Sequence, residues 1–200
     1  MRKAGFTPDP RSSAIGCWIS ARGVPVDLMV PDAVAGAGRR GVRVPPHDPK
    51  SMRRARGIEG TLVDNSKMVI RALDPSVDAR EFEISVAGPA ALLVAKLHKI
   101  HDRIHNPSRL DNKDAHDIYR LLRAIDTDVF VSDTARLINE SVSGEVTRDA
   151  LDHLADQFAR GADASGSAMA GAAEELVGDP AGVAESVALL AQDLLDALGR

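Results

Sequence analysis

Apolar and polar positions alternate along the first part of the chain and recur with helical spacing along the rest. Residues 14–19 and 24–30 read as strands flanking Ser20-Ala-Arg-Gly23, a four-residue hairpin loop. In the second of them Val26, Leu28 and Val30 share one face, and Asp27 and Met29 share the other. Residues 32–57 are rich in Gly, Pro and Arg and predict a long loop, of the kind that is usually functional or mobile. Residues 58–63 and 68–73 predict another hairpin around Asp64-Asn-Ser-Lys67, and 81–86 alternates strictly, as a strand does. Gly88-Pro89 then opens a helix running to about residue 104, with proline where its missing N–H costs nothing. Asn106-Pro-Ser-Arg109 breaks the chain, and 113–124 is a second helix. Further helices are expected over 133–139, 144–160, 168–177 and 182–198, with 161–173, biased to Ala, Gly and Ser, a linker or weak helix. Strands first and helices later is the α+β pattern. The organisation expected is a sheet region over 1–86, a helical part of the same domain over 87–160, and an Ala/Gly-rich segment with a C-terminal helix over 161–200.

Composition narrows this picture. Only 3% of the 200 residues are aromatic, so the core must come from Ala, Val, Leu and Ile. A net charge of −4 argues against a surface that grips nucleic acid throughout, while leaving room for a local basic patch such as residues 39–56. That patch lacks interleaved aromatics, and a solvated loop is the favoured reading over a guide for RNA. The single Cys17 rules out an internal disulfide and suits a reducing cytoplasm. No run of about 18 apolar residues predicts a membrane span, and Met1–Phe6 lacks the apolar core of a secretory signal. The expectation is a soluble cytoplasmic protein.

The two middle helices carry most of the candidate chemistry. In the first, Leu93, Leu97, Ile100 and Ile104 form the core stripe, with Lys96, Lys99 and Arg103 along its edge. In the second, Ile118, Leu121, Leu122 and Ile125 face the core and Asp114 and Asp117 border it, while His116, Arg120 and Arg123 point away. Lys96, Arg103, Asp114 and Asp117 are placed to converge where the helices pack. Such a cluster is either an ion-pair network that fixes packing or a phosphate subsite whose carboxylates orient the cations. His98, His101, Asp102 and His105 lie on the side away from the core, a solvated polar face or, by the i, i+4 spacing, a metal site.

Two-metal phosphoryl transfer needs about three carboxylates, which adjacent strands deliver well. Asp27, a lone acid among apolar strand residues, has that context. The stretch Val26-Asp-Leu-Met-Val-Pro31 resembles the third-carboxylate strand of nucleotidyltransferases. Ala87-Gly-Pro-Ala-Ala-Leu-Leu-Val-Ala-Lys-Leu-His-Lys-Ile-His-Asp-Arg103, followed by Lys113-Asp-Ala-His-Asp-Ile-Tyr119, resembles the Lys-Leu…Arg…Lys-Asp-x-x-Asp-Ile segment of AbiEii-type nucleotidyltransferases. These are toxin components of abortive-infection and toxin–antitoxin systems, and the resemblance spans roughly residues 5–125. It implies a small mixed sheet of the polymerase-β-like nucleotidyltransferase type followed by helices. It implies transfer of NMP from an NTP, with Mg²⁺, to a tRNA or protein acceptor, and an antitoxin or other neighbouring-gene product as partner. Asp27 would be a catalytic, metal-coordinating carboxylate. Lys96 would contact nucleotide phosphates with Arg103 assisting, and Lys113, Asp114 and Asp117 would complete the nucleotide site.

The family pattern also opens with a Gly-Ser turn and an Asp-x-Asp strand ahead of the third carboxylate. Neither precedes Asp27: Asp9-Pro10-Arg11 is not such a pair, and Ser12-Ser13 is not followed by one. Glu81-Phe-Glu83 comes too late, and Asp126-Thr-Asp128 falls between helices. The expectation is therefore an N-terminally shortened relative, inactive as given. Two other readings compete with it. One is a noncatalytic interaction or nucleotide-binding module, motivated by the amphipathic stripe Val187, Leu190, Leu194 and Leu198. The other is a helical HEPN-type ribonuclease using Arg109 and His116.

Overall fold

The computed structural model describes residues 1–12, 14–36, 38–42 and 44–200. Ser13 of the Ser12-Ser13 pair and Arg43 of the basic stretch lie outside the described residues. The fold is α+β, with small sheets and six α-helices among the described residues. The chain divides into two compact units, Met1–Ile58 and Glu59–Arg200. That boundary lies within the stretch the sequence pattern groups as one sheet region.

In the first unit β1 (Phe6–Pro8), β2 (Cys17–Ser20) and β3 (Pro25–Asp27) form an antiparallel sheet. The expected hairpin is present, with Trp18 opposite Val26 and Cys17 opposite Asp27. Trp18 is buried and its indole N–H donates to the Ser51 carbonyl at 2.9 Å. The strand expected over 24–30 divides in two. Leu28 donates its N–H to the Gly16 carbonyl at 2.8 Å and accepts from the Arg53 N–H at 3.0 Å, so the chain changes partners there. A Cβ on Gly16 would stand 2.6 Å from the Leu28 oxygen, so this crossing needs glycine. Beyond it β4 (Met29–Pro31) pairs in parallel with β5 (Arg53–Ala55), a strand inside the stretch expected to be loop.

The second unit opens with a correction. Glu59–Leu62 is a 3₁₀ turn, not a strand, and the partner of β6 (Asn65–Arg71) is β7 (Glu81–Ala87), paired along all seven residues. The turn serves the helix that follows. The first helix, α1 (Pro89–His101), has Gly88 at its N-cap and no capping side chain of its own. Asp64 supplies the cap from 27 positions away, its buried carboxylate accepting from the Ala91 N–H at 2.9 Å. A Cβ on Gly88 would fall 2.0 Å from that carboxylate.

The helices are α2 (Asn112–Ala124), α3 (Thr127–Asn139), α4 (Gly144–Leu154) prolonged by a π-helical turn over Ala155–Ala159, α5 (Ser165–Ala172) and α6 (Pro180–Ala197). α1 packs against α2, α3 and α4, and α5 packs against α2 and α6. The core is mainly aliphatic, with Leu93, Leu97, Ile100, Ile118, Leu137, Leu151, Leu154, Val187 and Leu194 among its most buried members. Phe130 and Phe158 are buried in it too, so the scarce aromatics are used in the core rather than absent from it. The Ala/Gly/Ser segment is an ordered helix, not a linker. Its small residues Gly166, Ser167, Ala170 and Gly171 are buried, letting neighbouring helices come close. On α6, Val187 and Leu194 are buried and Leu190 and Leu198 pack against the same core, so that stripe is used within the chain.

Candidate functional site

The face shared by α1 and α2 gathers three lysines and two aspartates. Lys96 Nζ lies 2.8 Å from Asp114 Oδ1 and 2.7 Å from Asp117 Oδ2. Lys99 Nζ reaches Asp114 Oδ2 at 2.6 Å, and Lys113 reaches Asp117 Oδ2 at 3.2 Å across one helical turn. Helical spacing puts Asp114 and Asp117 three residues apart along the edge of the apolar stripe, facing the matching edge of α1. Asp114 lies deepest, its side chain 5% exposed; Lys96 and Asp117 are covered to a similar degree, and Lys99 and Lys113 reach furthest out, with Lys113 72% exposed.

Burial by itself would push the Asp114 and Asp117 carboxyls up. Hydrogen bonds and charge from the lysines outweigh it, holding Asp114 (through Lys96 and Lys99) and Asp117 (through Lys96 and Lys113) below their ordinary value. Burial likewise works against the Lys96 ammonium, and the two aspartates overcome it and raise Lys96 above the usual lysine range. Each of these three shifts favours the charged form, so Lys96, Asp114 and Asp117 hold one another ionised.

Of the residues singled out from sequence, Lys96, Lys113, Asp114 and Asp117 are brought together, and Arg103 is not. Helix α1 ends at His101 with Asp102 as its C-cap, so Arg103 has left the helical register and donates instead to the Arg109 carbonyl at 3.3 Å. Lys99 joins the site in its place, a position on the predicted basic edge that the family segment does not single out. Asp27 belongs to the first unit, where it is exposed on β3 and bound by the Arg53 guanidinium at 2.9 Å. Arg54 pairs with Asp32 at 2.9 Å, so these two arginines of the basic stretch are engaged, not solvated. Arg109 is exposed. His116 does not point to solvent: its Nε2 lies 2.6 Å from Glu174 Oε1, just after α5, at an angle outside hydrogen-bond geometry.

The histidine face of α1 is corrected at one position, since α4 packs over His98 while His101, Asp102 and His105 are exposed as expected of a solvated polar face. His98 is buried with Nε2 2.8 Å from the Val146 carbonyl, and His153 of α4 stacks on His101 with ring centroids 3.7 Å apart. Among the described residues no group of three His, Cys, Asp or Glu side chains is placed to hold a metal ion.

Among protein families, curated proteins and solved structures, none matches the chain.

Proposed function

We propose that this chain is a nucleotidyltransferase-like protein whose α1–α2 face binds the phosphates of a nucleoside triphosphate, without transferring the nucleotide itself. The observation that carries the reading is the layering of the lysine–aspartate site. Buried Asp114 and half-buried Asp117 fix the positions of Lys96, Lys99 and Lys113, and the side presented to solvent is cationic. An ammonium group has three donors. Lys96 spends two on carboxylates and Lys113 one, which leaves N–H groups for phosphate oxygens. The Lys…Lys-Asp-x-x-Asp resemblance assigns phosphate contact to this same segment. The absence of transfer rests on Asp27, whose carboxylate is bound by Arg53 and belongs to no group of three metal-ligating side chains among the described residues.

Titration with a fluorescent NTP tests binding. Lys99→Gln and Lys113→Gln, at the two more exposed lysines, are each expected to weaken it about tenfold, the loss of one charge-assisted contact. Unchanged affinity in both variants would remove the phosphate reading. Incubation with labelled NTP, Mg²⁺ and total tRNA tests transfer, and robust labelling by this chain would overturn the claim that it does not catalyse.

A further inference from the structure

The β6–β7 ribbon is amphipathic, and its apolar face is bare. Alternation puts Ser66, Met68 and Ile70 on one side of β6, opposite Val86, Ile84 and Phe82 of β7. Met68, Ile70, Phe82 and Ile84 are each between 44% and 54% exposed, as expected where no element of the same unit packs on that face among the described residues. In the loop joining the strands Leu73 and Val77 are 107% and 82% exposed. The other face carries Lys67, Arg71, Glu81 and Glu83, paired across the strands as Lys67–Glu83 at 3.6 Å and Arg71–Glu81 at 3.4 Å. A two-stranded ribbon this exposed is marginal in water, and the period-2 alternation, strict along β7 and interrupted on β6 only by Val69 on the charged face, specifies a buried side.

We propose that the apolar face of β6–β7 is a homodimer interface, two copies stacking ribbon on ribbon about a two-fold axis. The charges select that arrangement over pairing at the edges. Joining β7 to β7 would bring the Glu81 and Glu83 pairs of two copies together, and joining β6 to β6 would do the same with Lys67 and Arg71. Joining β6 to β7 matches charges but does not close, and would propagate as an open sheet. Stacking the faces buries only apolar side chains, leaves every cross-strand ion pair in water, and is self-complementary, as a two-fold contact must be. With the ribbons antiparallel, Leu73 and Val77 of each loop cover the strand ends of the partner ribbon. Four half-exposed and two largely exposed apolar side chains offer roughly 550 Å² per copy. Two copies then bury roughly 1,100 Å², beyond an adventitious contact and at the lower end of specific interfaces.

Sedimentation velocity of the full chain from about 1 to 100 µM should show a monomer–dimer equilibrium. Ile84→Lys and Phe82→Lys, on the apolar face, should each weaken it by roughly 100-fold, since the symmetry places every substitution in the interface twice. Val69→Lys, equally exposed but on the charged face, should leave it unchanged. Helical circular dichroism identical to wild type shows that the variants are folded. As a second measurement, Ile84→Cys in a Cys17→Ser background should cross-link as a disulfide-bonded dimer on mild oxidation. A chain that stays monomeric across the range overturns the proposal. So do a dimer indifferent to Ile84→Lys and Phe82→Lys, and assemblies that grow beyond two copies.

Discussion

The α1–α2 pair and the β6–β7 ribbon are neighbours in sequence, each with an apolar side and a charged side, and only one of them is closed. On α1 and α2 the apolar stripes meet the rest of the core, and Leu97 and Ile118 are fully buried. On the ribbon the apolar side meets solvent. Their ion pairs differ in the same way. Lys96 and Asp114 are 2.8 Å apart with the carboxylate buried, whereas Lys67 and Glu83 are 3.6 Å apart with both side chains largely exposed. One chemistry in two settings shows that burial, more than the charges themselves, decides what a lysine–carboxylate pair contributes.

The widest separation between the two regions is expected from deletion of apolar side chains. Leu97→Ala leaves a cavity in a filled core and should lower stability by about 3 kcal/mol, measured as the urea midpoint at constant slope. Ile70→Ala, measured at a concentration low enough to keep the chain monomeric, should change it by less than about 0.5 kcal/mol. Equal losses at the two positions would mean that the ribbon is covered within the chain, and would erase the contrast.

The charged sides should separate next. Asp114→Asn leaves Lys96 and Lys99 facing a neutral group at the buried end of the site and should cost about 2 kcal/mol. Glu83→Gln on the ribbon should cost less than about 0.5 kcal/mol and vanish in high salt. The pH dependence follows from the directions of the shifts. Asp114 and Asp117 are held below the ordinary 3.8, so their contribution is full above that value and is lost as pH falls through the lowered one. Lys96 is held above the ordinary 10.5, so its contribution is full below that value and is lost as pH rises through the raised one. The site should therefore contribute evenly across neutral pH, and Asp114→Asn should remove the stability lost at the acid end.

How much of this was legible in the sequence depended on whether the signal was local. The 3.6-residue spacing of Leu93, Leu97 and Ile100 locates α1, and the borders of its stripe locate Lys96 against Asp114 and Asp117. Arg103 was misplaced by a boundary: it lies two residues past the end of the helix, where the wheel no longer applies. Residues 58–63 have a strand's composition and form a turn, because Asp64 caps a helix that starts 25 positions later, a contact with no local signature. The histidine stripe is solvated at His101, Asp102 and His105 as its polarity predicts, and only His98, where α4 packs on a second side of α1, departs from it. The apolar face of the ribbon is legible in sequence only as alternation; the half-exposure of Met68, Ile70, Phe82 and Ile84 is a property of the tertiary structure.

The smallest expected effect separates the two sides of α1 itself. Opposite the lysine site, His153 of α4 lies against His98 and His101, with Asp149 and Asp152 on its own helix. Desolvation first, then the neighbouring His101 and His98, lowers its pKa from the ordinary 6.5, and the two aspartates oppose the shift only in part. A base whose folded pKa is depressed contributes stability above its ordinary value and loses it as pH falls through the folded one. Thermal midpoints should therefore decline modestly on going from about pH 7 to pH 5, a window in which Asp114 and Asp117 do not titrate. His153→Phe keeps a ring stacked on His101 but carries no proton, and should flatten that decline while leaving the loss below pH 3.8 in place. Asp114→Asn should do the reverse. If the two variants instead change the same window, the faces of α1 are one electrostatic unit, and the lysine site is coupled through the helix to α4.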